Sequence, residues 1–248
     1  MSSTRAPLSW LGKIRGRLSA EGYFGFQLVG GALAIVIAAA MFGAIAGNIA
    51  QGQPLTNLDA ELASWFHVNA ITPLTHFMLF VSNMNGIGGI LLWTGAFTLV
   101  LVVKREWYWL AFLGLAVPGG MVLNTLVKLA FHRERPSFTD PLVTLSSYSF
   151  PSGHTVASTL FYGTLAAFLA PRVPPWLRGW VIAGAIVMIA LVGISRIYLG
   201  AHFLSDVLAA MAEGVAWLSL CLVALATYRH QRRLRSSAEP GQQPPARS

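Results

Sequence analysis

Residues 87–131 read IGGILLWTGAFTLVLVV, then KRE, then WYWLAFLGLAVPGGMVLNTLVKLAF, two apolar runs separated by Lys104, Arg105 and Glu106. A helix rises about 1.5 Å per residue, so roughly 20 apolar residues match the ~30 Å hydrocarbon core of a bilayer. Each run is therefore expected to cross a membrane, and the short charged step between them makes the two crossings antiparallel. Trp107, Tyr108 and Trp109 open the second run, where aromatic rings favour the headgroup level.

The rest of the chain fits that reading. Of its 248 residues 55% are hydrophobic and 10% charged, and its mean hydropathy is +0.60. A chain so apolar cannot cover its surface with polar groups, which excludes a soluble domain. The single cysteine, Cys221, lies in an apolar segment, so neither an internal disulfide nor a cysteine-based metal site is available.

Working outward, the stretch 22–58 is uncharged, contains an apolar core at 24–46, and follows a basic segment, 1–21. That core is too long for a typical secretory signal and is read as a retained first span. Polar residues 51–61 are expected to form a loop, and 62–82 a moderately apolar helix that Pro73 and His76 weaken as a crossing. Beyond a turn at 83–86, the run 87–103 is the second span and 107–130 the third. A polar loop at 132–151 leads to further spans at 155–170, 176–194 and 203–227. The last of these contains Asp206 and Glu213, costly in hydrocarbon unless they face a polar cavity.

The expected fold is thus an all-α polytopic membrane protein. It comprises a six-transmembrane-helix bundle over 22–228, with a partly interfacial extra helix after the first span and a disordered basic tail over 229–248. The formal charge of +8 would suggest nucleic acid as partner for a soluble chain. Here it marks sidedness, and no nucleic-acid partner is expected. With six crossings, only Lys128, Arg133, Arg135 and Arg196 of the 17 lysines and arginines fall on one side. Basic residues concentrate in the cytoplasm, so both termini are placed there, in a cell inner membrane.

Those outer cations sit at span ends near His154 and His202, implying one positive pocket and an anionic ligand, with phosphate the first candidate. Lys128, six residues, Arg135 and Pro136 set a point charge beside a planar fork suited to phosphate oxygens, although a lone cation at a span end can equally be snorkelling. Pro151, Ser152, Gly153 and His154 precede an apolar helix whose free amides favour an anion. A simple Ser cap is the competing structural reading. Ser195, Arg196, five residues, His202, three residues and Asp206 put a histidine and a carboxylate at i and i+4 on one helix face. The carboxylate then fixes one ring nitrogen and leaves the other free to attack phosphorus, unless the pair is only a polar clasp. A divalent cation among so many positive charges would be repelled, so no metal and no cofactor are expected.

As a set these residues resemble the three-part signature of the type 2 phosphatidic acid phosphatase (PAP2) family, in its membrane-bound lipid phosphatase branch. The resemblance implies a metal-independent phosphatase working through a phosphohistidine. His202 would be the nucleophile, Asp206 its orienting partner and His154 the acid that then activates water. Lys128, Arg135, Ser152, Gly153 and Arg196 would hold the phosphoryl oxygens. The expected substrate is a membrane lipid phosphate met at the outer face, undecaprenyl diphosphate first and phosphatidylglycerophosphate or phosphatidic acid next. A headgroup-binding transporter or scaffold is the non-enzymatic alternative. Glu213 is expected to make only a structural hydrogen bond, and Arg133 has no role in this reading.

Overall fold

Helices account for most of the described residues. The computed structural model describes residues 8–52 and 54–238. The extreme start of the expected N-terminal segment and the last part of the expected tail, 239–248, lie outside the described residues. The elements are α1 (Leu8–Ala50), α2 (Pro54–Val68), α3 (Thr72–Met84), α4 (Ile87–Val103), α5 (Trp107–Phe131), α6 (Gly153–Leu169), a single 3-10 turn (Ala170–Arg172), α7 (Pro175–Tyr198) and α8 (Leu204–Ala238). No strand occurs among the described residues.

Four helical stretches are long and apolar enough to cross a bilayer: Gln27–Ala50, Trp107–Phe131, Pro175–Tyr198 and Leu204–Arg235. α3 and α4 pass the same test only as a pair, bent by 51° at their junction. α4 and α6 have 17 residues each, about 25 Å of helix, which is short of the hydrocarbon thickness. Among the described residues four stretches, or five with the bent pair counted as one, thus meet the length and hydropathy of a span. α6 is enclosed by protein, packing against α5, α7 and α8, and Val156, Leu160, Phe161 and Phe168 are buried in the main core with Phe112, Leu113 and Ala116 of α5. The outward faces carry Val29, Leu33, Val36, Trp176, Trp180 and Ile186, all exposed. This is the surface that lipid tails would cover.

Three expectations are corrected. The segment 51–61 is not a loop throughout, because α2 starts at Pro54, a residue that suits the first turn of a helix, where no backbone N–H is needed. The expected helix over 62–82 is broken between Val68 and Thr72, and Pro73 opens the next helix within its first turn. The tail is helical to Ala238, where disorder from Arg229 is expected. Side chains hold this extension: Arg229 lies 4.2 Å over the Tyr108 ring and His230 stacks on Phe24 at 4.1 Å.

The α3–α4 junction depends on backbone approach. A Cβ on Gly89 would collide with the Met84 carbonyl group, whereas one on neighbouring Gly88 would meet nothing within 4 Å. Asn85 ties the bend to the core by accepting a hydrogen bond from Tyr162 Oη of α6 at 2.8 Å.

Candidate active site

The C-terminal ends of α5 and α7 and the N-terminal ends of α6 and α8 meet at one end of the bundle, roofed by the 132–152 loop and flanked by the α3–α4 bend. α5 stops at His132, whose left-handed backbone (φ 49°) turns the chain out of the helix. Lys128, in the last turn of α5, donates to the Tyr148 carbonyl at 2.8 Å. Arg135 donates through Nε to Ser147 O (2.6 Å) and through Nη2 to Ser147 Oγ (2.9 Å) and Tyr148 O (3.1 Å). Its Nη1 reaches Ala201 O at 2.5 Å and His202 Nε2 at 3.1 Å.

That last contact defines the imidazole. Arginine has no acceptor, so the bond requires Nε2 to accept and places the proton of the neutral ring on Nδ1. The ring is 2% exposed. Burial lowers its pKa from 6.5 to about 4, and Arg135 and Arg196 push the same way against the opposing pull of Asp206. Near neutrality Nε2 therefore carries a lone pair.

The histidine–carboxylate geometry differs from the sequence expectation. His202 is not on a helix face with Asp206 but in the turn before α8, which begins at Leu204. Asp206 sits in the first helical turn and accepts from the Phe203 amide at 2.9 Å, the reach-back of a capping box. His202 Nδ1 and Asp206 Oδ2 are 3.5 Å apart, too far for a good direct hydrogen bond. Ser149 fills the gap, with Oγ 3.4 Å from Nδ1 and donating to Asp206 Oδ2.

His154 is the second residue of α6. Arg196, His202, Arg135 and Lys128 all lie close enough for their charges to act on it. Gly86 of the α3–α4 bend faces it, and a Cβ there would stand 3.3 Å from His154 Nε2. Arg196, in the last turn of α7, donates to Ser82 Oγ of α3. Its Nε is buried with no hydrogen-bond partner among the described residues.

Gly153 packs against Asn124 and Lys128, with room for a Cβ only at 3.4 Å from Asn124 Oδ1. Ser152 is fully buried and accepts from Thr155 Oγ1 at 3.0 Å, while its amide donates to Asp206 O at 3.1 Å. Glu213 accepts from Asn124 Nδ2 at 3.1 Å, the structural hydrogen bond expected of it.

All eight predicted residues thus surround one locus. Ser149, Ser82 and Asp59 were not singled out by sequence. Asp59, assigned to a loop, is instead a buried residue of α2 joined to the site through Arg133. Ser82 and Ser149 carry no spacing signal, since only tertiary contact selects them.

The PAP2 superfamily model matches residues 107–230, which contain every residue of the signature. The chain belongs to the PAP2 superfamily. It is 43% identical over 98 residues to phosphatidylglycerophosphatase B of Bacillus subtilis, a match spanning 38% of this chain and about half (47%) of that protein. It is 29% identical over 177 residues to undecaprenyl-diphosphatase of Sulfolobus acidocaldarius (69% of this chain, 80% of the other). Identity is 32% over 196 residues with lipid A 1-phosphatase of Rhizobium johnstonii (75% and 74%). The fold is similar to the crystal structure of a transmembrane PAP2 type phosphatidylglycerolphosphate phosphatase from Bacillus subtilis, with a TM-score of 0.64 and 28% identity over 82% of this chain and 96% of that one. This PAP2 protein is a membrane-spanning phosphatase, a hydrolase of phosphate esters.

Proposed function

We propose that this PAP2 phosphatase removes phosphate from a membrane lipid through a phosphohistidine, without metal, at the outer face of the cell inner membrane. The observation that carries the reading is the His202 ring, neutral and buried, presenting an unprotonated Nε2 to Arg135 inside a ring of cations. Nε2 attacks the terminal phosphorus and the P–O bond to the leaving oxygen breaks, the oxygen being that of the lipid alcohol in a monophosphate or of the lipid monophosphate in a diphosphate. His154 gives that oxygen its proton, then takes one from water as the water attacks phosphorus and cleaves the P–N bond. Inorganic phosphate leaves and His202 is regenerated.

Charge spreads over the phosphoryl oxygens during both steps, and Lys128, Arg135, Arg196, Ser152 and the Gly153 amide hold it there. The partnerless Nε of Arg196 supplies a donor for such an oxygen. Asp206 stabilises the positive imidazole through Ser149. A metal ion would compete with Lys128, Arg135 and Arg196 for the same anion, which supports a metal-independent reaction.

An undecaprenyl diphosphate or related polyprenyl diphosphate is the first substrate class, because the site lies at the end of apolar helices whose outer surfaces suit a long tail. Phosphatidylglycerophosphate or phosphatidic acid is the second reading, favoured by the breadth of the structural match. Sidedness rests on the charge distribution along the sequence: with the six expected spans, all lysines and arginines but Lys128, Arg133, Arg135 and Arg196 fall on the side away from the site. That distribution supports a cytoplasmic position for both termini, with α2 and α3 at the outer interface.

The test is phosphate release from a long-chain diphosphate by purified protein in detergent. Release that is unaffected by EDTA and abolished in His202→Ala is expected, and full activity in that variant overturns the mechanism. The rate is expected to fall on the acid side as a proton occupies Nε2 of His202.

A further inference from the structure

Behind His202 the site continues into a buried charge network that the three-part signature does not include. Arg133 Nη1 donates to Asp206 Oδ1 at 2.6 Å and Nη2 to Asp59 Oδ2 at 2.8 Å, so one guanidinium is clamped between two carboxylates. Both carboxylates have 0% side-chain exposure and the guanidinium 12%. Ser205 locks the three together: its amide donates to Asp59 Oδ1 at 2.9 Å, its hydroxyl donates to Asp59 Oδ2, and it accepts from Arg133 Nη1 at 2.7 Å. Phe203 covers the guanidinium, with its ring 4.4 Å from Arg133 Cζ. Asp59 belongs to α2, before the first residue matched by the family model.

Two carboxylates against one guanidinium leave the network with one net negative charge. In a buried site such charges act on one another far more strongly than in water. Asp206 faces His202, so the charge and aim of its carboxylate depend on how Arg133 divides itself between Asp206 and Asp59. Without Asp59 the guanidinium would have Asp206 as its one carboxylate partner in the network. We propose that Asp59 and Arg133 are positioning residues for hydrolysis: Asp59, reaching in from α2, holds Arg133 and so sets the net charge that Asp206 presents to the nucleophilic histidine.

The other charged or titratable groups around His202 are Arg135 from the loop, Arg196 from α7, His154 from α6 and, at one remove, Lys128 from α5, which Glu213 of α8 also faces. The negative charge that acts directly on His202 comes from Asp206 and its network. Removing the charge of Asp59 takes the trio from one net negative charge to none, which makes the protonated imidazole less favourable. Removing that of Arg133 takes it to two, which makes it more favourable. Removing both restores one. A purely structural role has no reason to act with opposite signs.

The proposal rests on His202 being the nucleophile, so His202→Ala is measured alongside. The acid limb of kcat/KM, where protonation of His202 abolishes attack, is recorded for the wild type, Asp59→Asn, Arg133→Gln and the double variant. These side chains keep hydrogen-bonding groups where the charges are removed. The limb is expected to move to lower pH in Asp59→Asn and to higher pH in Arg133→Gln, by about one pH unit each. It is expected to return close to the wild-type position in the double variant. Folded protein is verified by monodispersity in detergent, and either single variant that folds decides the question alone. An inactive His202→Ala together with limbs that stay in place, or that move in the same direction, overturns the roles of Asp59 and Arg133. An active His202→Ala overturns the phosphohistidine reading itself.

Discussion

Ser149 is the residue through which Asp206 addresses the imidazole. Its hydroxyl lies between His202 Nδ1 and the carboxylate, while its amide donates to Arg133 O at 2.8 Å. Ser149→Ala leaves Nδ1 facing a carboxylate too distant to hold it, and a lost buried hydrogen bond is worth about 1–1.5 kcal/mol. Steady-state kinetics are expected to show kcat lower by roughly tenfold with KM little changed, since no phosphate-holding group is altered. A kcat equal to the wild type would show that the direct 3.5 Å contact suffices. His154, His202, Asp206 and the cations were legible because ionisable groups at the ends of apolar spans have few physical excuses. Ser149 was not. It stands in a polar stretch with Ser146 and Ser147, and only the folded loop decides which hydroxyl faces the carboxylate.

Among the elements, α3 and α4 form a bent pair where the sequence predicts a partly interfacial helix, a turn and then the second span. The bend presents Ser82 to Arg196 and Gly86 to His154. The turn residues at 83–86 marked its place, and Pro73 marked a weakness, but neither revealed that the two short helices join at an angle. That follows from the close passage of Gly89 past the Met84 carbonyl. Gly89→Ala is expected to destabilise the protein by about 1–3 kcal/mol and to lower activity by displacing Ser82 and Gly86. Gly88→Ala, one residue away in open space, should leave both unchanged or slightly raise stability through better helix propensity. Thermal unfolding in detergent and turnover of the two variants check this, and equal behaviour would mean that the bend tolerates a side chain at Gly89.

For the whole molecule, hydropathy made the helical membrane class legible, while helix lengths and the helical continuation past Arg229 depended on packing that composition does not encode. Sidedness is open to direct measurement. Cys221 is buried, so an impermeant thiol reagent has little background. Thr144, exposed in the loop over the site, is a suitable place for a reporter cysteine. Thr144→Cys is expected to react in intact cells, and reaction only after lysis would invert the topology. The same loop supplies the oxygens of Ser147 and Tyr148 that now occupy Arg135. A phosphoryl group can engage that guanidinium only by displacing one or more of its present partners, these oxygens among them, so peptide and substrate are rivals for one fork. Tightening the loop's grip would slow capture and hasten release, and loosening it would do the reverse: tenacity toward the lipid is thereby tuned from a segment that need never touch the lipid's tail.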